Sequence, residues 1–237
     1  NQGDAITWGR ELGAGMTDLG GYQGHGSVAH PHGILVSWAL MMEGGIQVNR
    51  DGRRFSNEHD GYSEQARRVI AQPGGVAWNI YDQRLHEFAQ DFDDYQQAEA
   101  AGAVRQGATI GALAEICDLP ADALEETLSD ADTLSVAGGQ DKFGRTFDKN
   151  RLAPPYYAVK VTGALFHTQG GLNVDERARV LKSDGTPFAN LFAGGGAARG
   201  LSGPSDWGYL SGNGLLTAFT LGHIAGVQAA RLIKNEN

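Results

Sequence analysis

His167-Thr168-Gln169-Gly170-Gly171-Leu172, Asn190-Leu191-Phe192-Ala193-Gly194-Gly195-Gly196 and Ser211-Gly212-Asn213-Gly214 follow one another in the last seventy residues, and the third opens the run Leu215 to Arg231. Read physically, these are a turn, a short apolar strand that breaks on glycines, and a helix whose start is stripped of side chains. Such a helix start leaves backbone N–H groups pointing outward, with the positive end of the helix dipole behind them. It suits an anion or an electron-rich ring oxygen.

The order of these motifs resembles the C-terminal part of the flavoproteins related to fumarate reductase, succinate dehydrogenase and the 3-ketosteroid dehydrogenases. The resemblance extends over most of the chain. It implies an FAD cofactor whose isoalloxazine pyrimidine edge faces the helix start. Its cofactor-binding residues would be Gly170, Gly171, Gly194, Gly195, Gly196, Ser211, Gly212, Asn213, Gly214 and Leu215. FAD enzymes of this family also carry a strand, a G-x-G-x-x-G turn and a helix. No strict G-x-G-x-x-G occurs here; the nearest approaches are Gly13-Ala14-Gly15 and Gly194 to Gly196. The expectation is therefore a C-terminal piece, or one subunit, of a larger flavoprotein. Its partner would be a missing N-terminal FAD-binding polypeptide or segment, and the chain alone is expected to be inactive.

Bulk properties set the class. With 41% hydrophobic and 20% charged residues, the 237-residue chain has the composition of a soluble globular protein, expected to be cytoplasmic. A net charge of −9 with no basic block argues against a nucleic-acid surface. Thirty-five glycines are about twice the usual ~7%. They cluster at motif turns without a collagen period, as expected where backbone approaches a cofactor. The single cysteine, Cys117, lies among Leu113, Ile116 and Leu119, which reads as a buried, inert thiol and excludes a disulfide framework. No run of 18 apolar residues is present, so no membrane span is expected.

Along the chain, Gly3-Asp4 reads as a helix start, with Ile6, Trp8, Leu12 and Met16 on one face. Gly20 to Gly26 reads as a glycine-rich loop leading to Ile34-Leu35-Val36. Ile46 to Asn49 and Val76 to Tyr81 read as strands, the first closed by a tight turn at Asp51-Gly52. Helices are expected at 83–89, 93–101, Thr109 to Ile116 and Pro120 to Leu128. Tyr156 to Val161 reads as a strand, and Asn173 to Thr186 as a hairpin turning at Ser183-Asp184-Gly185. The fold class is α/β (α+β): an incomplete FAD-binding domain, 1–44 and 156–237, interrupted by a mixed α+β substrate-capping domain, 45–155.

Asp51-Gly52-Arg53-Arg54-Phe55-Ser56-Asn57-Glu58 matches the family's Gly-x-Arg-Phe-x-Asn-Glu signature; its Arg and Glu either fix the cap hinge or touch substrate. Fumarate reductases of the family carry Thr-Glu-x-x-Arg where this chain has Ser37-Trp38-Ala39-Leu40-Met41. They also carry a proton-donating arginine where this chain has Tyr62, and a substrate-gripping arginine where it has Tyr209. Tyrosine cannot hold a carboxylate bidentately as arginine does, so a four-carbon dicarboxylate is not the expected substrate. His25 falls where the family places a substrate-binding histidine, and His167 in its His-Thr-x-Gly-Gly motif. The expected catalytic set is Tyr62, Tyr209, His25 and His167. Ketosteroid dehydrogenases use tyrosines to polarise a carbonyl and remove a proton, but their late tyrosine would fall at Leu210. Each tyrosine also reads equally well as half-buried packing. Trp38, Met41 and Met42 read as an apolar wall, and the cluster His25 to His32 fits no common zinc spacing, so no metal is expected.

The expected function is hydride transfer between flavin N5 and a carbon–carbon bond activated by a neighbouring carbonyl or similar group of a small-molecule substrate. The alternative is a catalytically silent, flavoprotein-like module without bound FAD, exposing an apolar surface open to self-association.

Overall fold

The structure is a computed structural model that describes residues 2–147 and 151–235. Helix α1 (Asp4–Glu11) and strands β1 (Met16–Thr17), β2 (Tyr22–Ala29) and β3 (Ile34–Leu35) are followed by α2 (Ala39–Met42), β4 (Ile46–Val48), α3 (Tyr62–Ile70) and β5 (Val76–Asp82). Then come α4 (Gln83–Ala89), α5 (Asp93–Ala100), β6 (Val104–Gly107), α6 (Ile110–Cys117) and α7 (Ala121–Ala137). The chain closes with β7 (Tyr156–Thr168), β8 (Gly171–Leu172), β9 (Arg179–Leu181), β10 (Pro187–Phe192) and α8 (Asn213–Asn235). Two compact units result: Asn1–Gln23 with Leu165–Asn237, and Gly24–Ala164. The boundaries expected from sequence, 44/45 and 155/156, both fall inside the second unit.

The second unit is built on a sheet of order β3-β2-β7-β5-β4, with β6 also pairing β7. The β5–β7 pair is antiparallel over seven residues, from Val76↔Thr162 to Asp82↔Tyr156. Every residue of β5 is buried, and alternation sends its side chains to two separate cores. Ala77 and Tyr81 join Val159, Val161, Val69, Leu85 and Tyr95 on one face. Trp78 and Ile80 join Ile46, Leu113, Cys117, Leu124 and Leu128 on the other. A strand buried on both sides is why Val76 to Tyr81 reads as a nearly continuous apolar run.

The glycine-rich stretch expected as a loop is largely strand β2, buried from Gly24 to Ala29. Its glycines serve close packing. A Cβ on Gly26 would lie 2.8 Å from the Cβ of Gln65, and one on Gly163 of β7 would lie 2.3 Å from the Ala66 carbonyl oxygen. Helix α3 thus seats directly on two side-chain-free positions of neighbouring strands. Helix α1 also differs from its expected face: Trp8 and Leu12 are exposed, whereas Gly9 is buried against Leu172. Met16 lies in β1, outside the helix.

Helices α4 and α5 fall within a residue of the expected bounds, and α6 starts behind Thr109, whose side chain caps the Ala112 amide. Helix α7 runs nine residues beyond the expected end at Leu128, to Ala137. The expected turn at Ser183-Asp184-Gly185 is present, but its arms are β9 and β10, and residues 173–175 pair with β9 through a separate tight turn closed by the Ala178 amide on the Asp175 carbonyl.

The first unit has a smaller core of Ala14, Leu172, Val180, Ala193 and Ala198, with Leu221 of α8 against it. Among the described residues of α8, Asn213 and Thr217 are buried, while Leu215, Leu216, Phe219 and Ile233 are exposed.

Candidate functional site

Two of the expected catalytic residues meet within the second unit. His25, on β2, stacks on Tyr62, the first residue of α3, with ring centroids 5.1 Å apart. Trp38 presents an edge-to-face contact to the same imidazole at 6.0 Å. The backbone amide of Ser27 donates to His25 Nδ1 at 3.2 Å, so the remaining ring hydrogen is on Nε2. Burial drives the imidazole pKa down to about 4, and the ring is neutral at physiological pH. Tyr62 is half-buried.

This aromatic group rests on polar chemistry below it. Trp38 Nε1 donates to the Glu58 carbonyl oxygen at 3.1 Å. The Glu58 carboxylate accepts from the Gln47 amide (3.0 Å), Arg54 (2.6 and 2.8 Å) and Arg145 (3.0 Å). Arg54 is paired in addition with Asp141. The arginines of the Gly-x-Arg-Phe-x-Asn-Glu signature are thereby committed to internal ion pairs: Arg54 in this buried cluster, Arg53 with Glu126 at the surface. Beside the cluster, Gln47, Asn79, Ser27, Gln65 and Ser56 form a buried hydrogen-bonded chain that hydropathy patterning does not reveal. Met41 is fully buried in the adjoining core, whereas Met42 is exposed, so the expected apolar wall comprises Trp38 and Met41 only.

The remaining expected residues lie in the first unit. His167, near the end of β7, sits beside the start of α8, where a Cβ on Gly214 would lie 3.6–3.9 Å from its ring atoms. Its Nδ1 is 2.9 Å from Nε2 of Gln169. Gln169 is buried, its backbone clamped between Gly21 and Gly200 at 2.8 Å each, and its Oε1 has no hydrogen-bond partner among the described residues. Sequence reasoning passed over this residue because the motif names no chemistry at its position. Tyr209 is half-buried in the loop before α8.

That loop is fixed by Asn213. Its side-chain oxygen accepts from the Leu201 amide, and its Nδ2 donates to Ser202 Oγ and the Leu210 carbonyl. The amides of Asn213 and Leu216 are taken by the carbonyls of Leu210 and Gly212, and those of Gly214 and Leu215 lie between them in the first turn. Ser211 and Gly212 are exposed, and nothing lies within 4 Å of a Cβ position on Gly212.

The other glycines of the motifs answer to internal packing. Cβ atoms on Gly170 and Gly171 would sit 2.4 Å from the Asp18 carbonyl oxygen and 2.6 Å from the Ala198 backbone. Gly194 and Gly195 face Leu221 and Ala218 of α8. Gly196 lies in the same short helical turn, Gly195–Ala197.

The FAD binding domain family matches residues 1–215. The chain is 33% identical over 230 residues to a probable fumarate reductase, Ifc3, of Shewanella frigidimarina, covering 97% of this chain and 38% of that protein. It is 30% identical over 229 residues to the 4-oxocyclohexanecarboxylate 2-dehydrogenase of Sinomonas cyclohexanicum, covering 83% of this chain and 38% of that protein. The open conformation of a flavocytochrome c3 fumarate reductase superposes with a TM-score of 0.74 at 31% identity, covering 97% of this chain and 40% of that one. The chain thus spans about two fifths of the length of these relatives. With its glycine-opened helix start and its span-long match, the chain belongs to the FAD binding domain family of flavoproteins, whose cofactor is FAD.

Proposed function

We propose that the whole protein is an FAD-dependent oxidoreductase acting on a carbon–carbon bond next to a ketone carbonyl, and not on fumarate or succinate. The observation that carries this reading is the neutral, buried His25 stacked on Tyr62, in a region whose motif arginines are held in ion pairs. A neutral imidazole N–H donates well to a carbonyl oxygen, but it offers a carboxylate no charge. The Sinomonas relative, a 4-oxocyclohexanecarboxylate 2-dehydrogenase, supports the same substrate class.

The start of α8 fits the cofactor of the family. Its side-chain-free Gly212 faces open space and the amides of Gly214 and Leu215 lie in the first turn, an arrangement that stabilises negative charge on a ring oxygen. FAD, when bound, supplies or accepts hydride at N5. The polypeptide does the rest: His25 donates from Nε2 to the substrate carbonyl oxygen, Tyr62 transfers a proton at its hydroxyl, and His167 and Tyr209 are the corresponding candidates in the first unit. The two units are read as the FAD-binding part and the cap, respectively.

The test is turnover by the whole flavoprotein of cyclohexanone- and cyclohexenone-type substrates beside fumarate, followed by flavin bleaching or reoxidation. Tyr62→Phe is expected to lower kcat by roughly 10²-fold with little change in unfolding midpoint. Wild-type turnover in both Tyr62→Phe and Tyr209→Phe, or fumarate outrunning every ketone, would remove this reading.

A second reading rests on the exposed apolar residues of α8, of which Leu215 is 72% and Phe219 78% exposed. On it, the 237-residue chain alone is a silent module that binds no flavin and self-associates. Colourless, concentration-dependent oligomers of the isolated chain support it; a yellow monomer refutes it.

A further inference from the structure

The orphaned oxygen of Gln169 decides which nitrogen of His167 carries the proton. With Nε2 of Gln169 toward His167 Nδ1, the amide oxygen is buried without a donor. It and the side-chain oxygen of Asn213 both come within 3.1 Å of where a Cβ on Gly200 would sit. The Asn213 oxygen is an acceptor by its own bonds, since its Nδ2 already donates to Ser202 Oγ and the Leu210 carbonyl. A buried acceptor left unpaired is unfavourable.

A half-turn of the Gln169 carboxamide exchanges two groups of nearly the same shape and gives that oxygen a donor. The oxygen then accepts from His167 Nδ1–H across 2.9 Å, and the NH2 turns toward Gly200 and the Asn213 oxygen. The backbone of Gln169 cannot shift to do otherwise, because Gly21 and Gly200 hold its N–H and C=O.

We propose that Gln169 is a positioning residue that fixes His167 as the Nδ1–H tautomer, so that Nε2 is a proton acceptor beside the start of α8. This rests on the reading of His167 as a site residue. The partial positive charge of the helix start favours a lone pair there. The two tautomers then differ: His25, with Nδ1 occupied by the Ser27 amide, is a donor from Nε2, whereas His167 is an acceptor at Nε2.

The experiment is nitrogen NMR of the whole protein labelled with 15N at histidine, with the His167 signals assigned by their loss in His167→Gln. The expected spectrum has a protonated Nδ1 and a pyridine-like Nε2 at His167. Gln169→Glu, which keeps an acceptor, is expected to retain it, and Gln169→Leu to shift the tautomer ratio by about tenfold toward Nε2–H. A protonated Nε2 in the wild-type protein, or an unchanged ratio in Gln169→Leu, overturns the proposal. Turnover is read separately: if the tautomer responds as stated but ketone turnover in Gln169→Leu is undiminished, the placement of His167 in the reaction fails while the tautomer assignment stands.

Discussion

Replacing Glu58 by Gln tests the footing of the aromatic group most directly. The carboxylate is 1% exposed and accepts four hydrogen bonds: one from the Gln47 amide at 3.0 Å, two from Arg54 at 2.6 and 2.8 Å, and one from Arg145 at 3.0 Å. A carboxamide keeps one acceptor but turns an NH2 on a guanidinium. Arg54 retains Asp141, but Arg145 is left buried with the Gly45 carbonyl as its bonded oxygen among the described residues. Removing one partner from such a buried cluster costs about 3–5 kcal/mol. With a urea slope of about 2 kcal/mol/M, the unfolding midpoint of the second unit drops by about 2 M. The pH dependence gives an independent sign. Burial alone would raise the Glu58 pKa, but the Arg54 hydrogen bond and the charges of Arg145 and Arg54 outweigh it and hold it below 4.5. Its stabilisation is therefore present above the unfolded carboxyl pKa and lost as pH falls through the lower folded value. The gap between wild type and Glu58→Gln should close in that acid range. Urea titrations followed by tryptophan fluorescence at several pH values measure both. A midpoint within about 0.5 M of wild type at neutral pH would refute the claim that this ion cluster holds the unit together.

His25 carries an acid limb of its own. Its folded pKa, about 4, lies below the ordinary 6.5, so between these values the unfolded chain binds a proton that the folded chain does not. Stability should fall by about 3 kcal/mol over that interval, and His25→Asn should lack the fall; equal slopes in the two proteins would contradict a buried neutral imidazole. Gly163→Ala drives a methyl to 2.3 Å from the Ala66 carbonyl and should cost about 1–3 kcal/mol by displacing α3, visible as faster amide exchange in that helix. Unaltered exchange in α3 would mean that the helix is not seated as described.

Much of the fold was legible where one residue class controls the local outcome. Thr109 announces the start of α6, and the run Val76 to Tyr81 announces a strand buried on both faces. Strand β2 was not legible, because Gly24 and Gly26 look like loop residues until α3 is known to rest on them. Helix α3 itself was hidden: its buried face carries Ser63 and Gln65, whose partners, Gly24 and Ser56, are distant in sequence. The extension of α7 was hidden similarly, since Thr127 is satisfied by the Gly52 carbonyl seventy-five residues away. At the site, resemblance located His25 and Tyr62, and their stacking follows from β2 and α3 being neighbours. Gln169 stayed invisible, because its significance lies in one unpaired oxygen, a property of three-dimensional surroundings and not of residue type.

The first unit is assembled from the two ends of the chain, with Gly24–Ala164 between them. Bringing such ends together across a disordered loop of about 140 residues costs about 4 kcal/mol in chain entropy, beyond a constant term. The second unit removes most of that cost when it folds, because its entry strand β2 and exit strand β7 are neighbours in one sheet, tied by the His30 amide to the Lys160 carbonyl at 2.8 Å. Folding therefore has a built-in sequence, with the inserted unit acting as a clasp that precedes the unit it interrupts. Pulse-labelling hydrogen exchange should protect β5 and β7 before α8, and the reverse order would show that the ends find one another unaided.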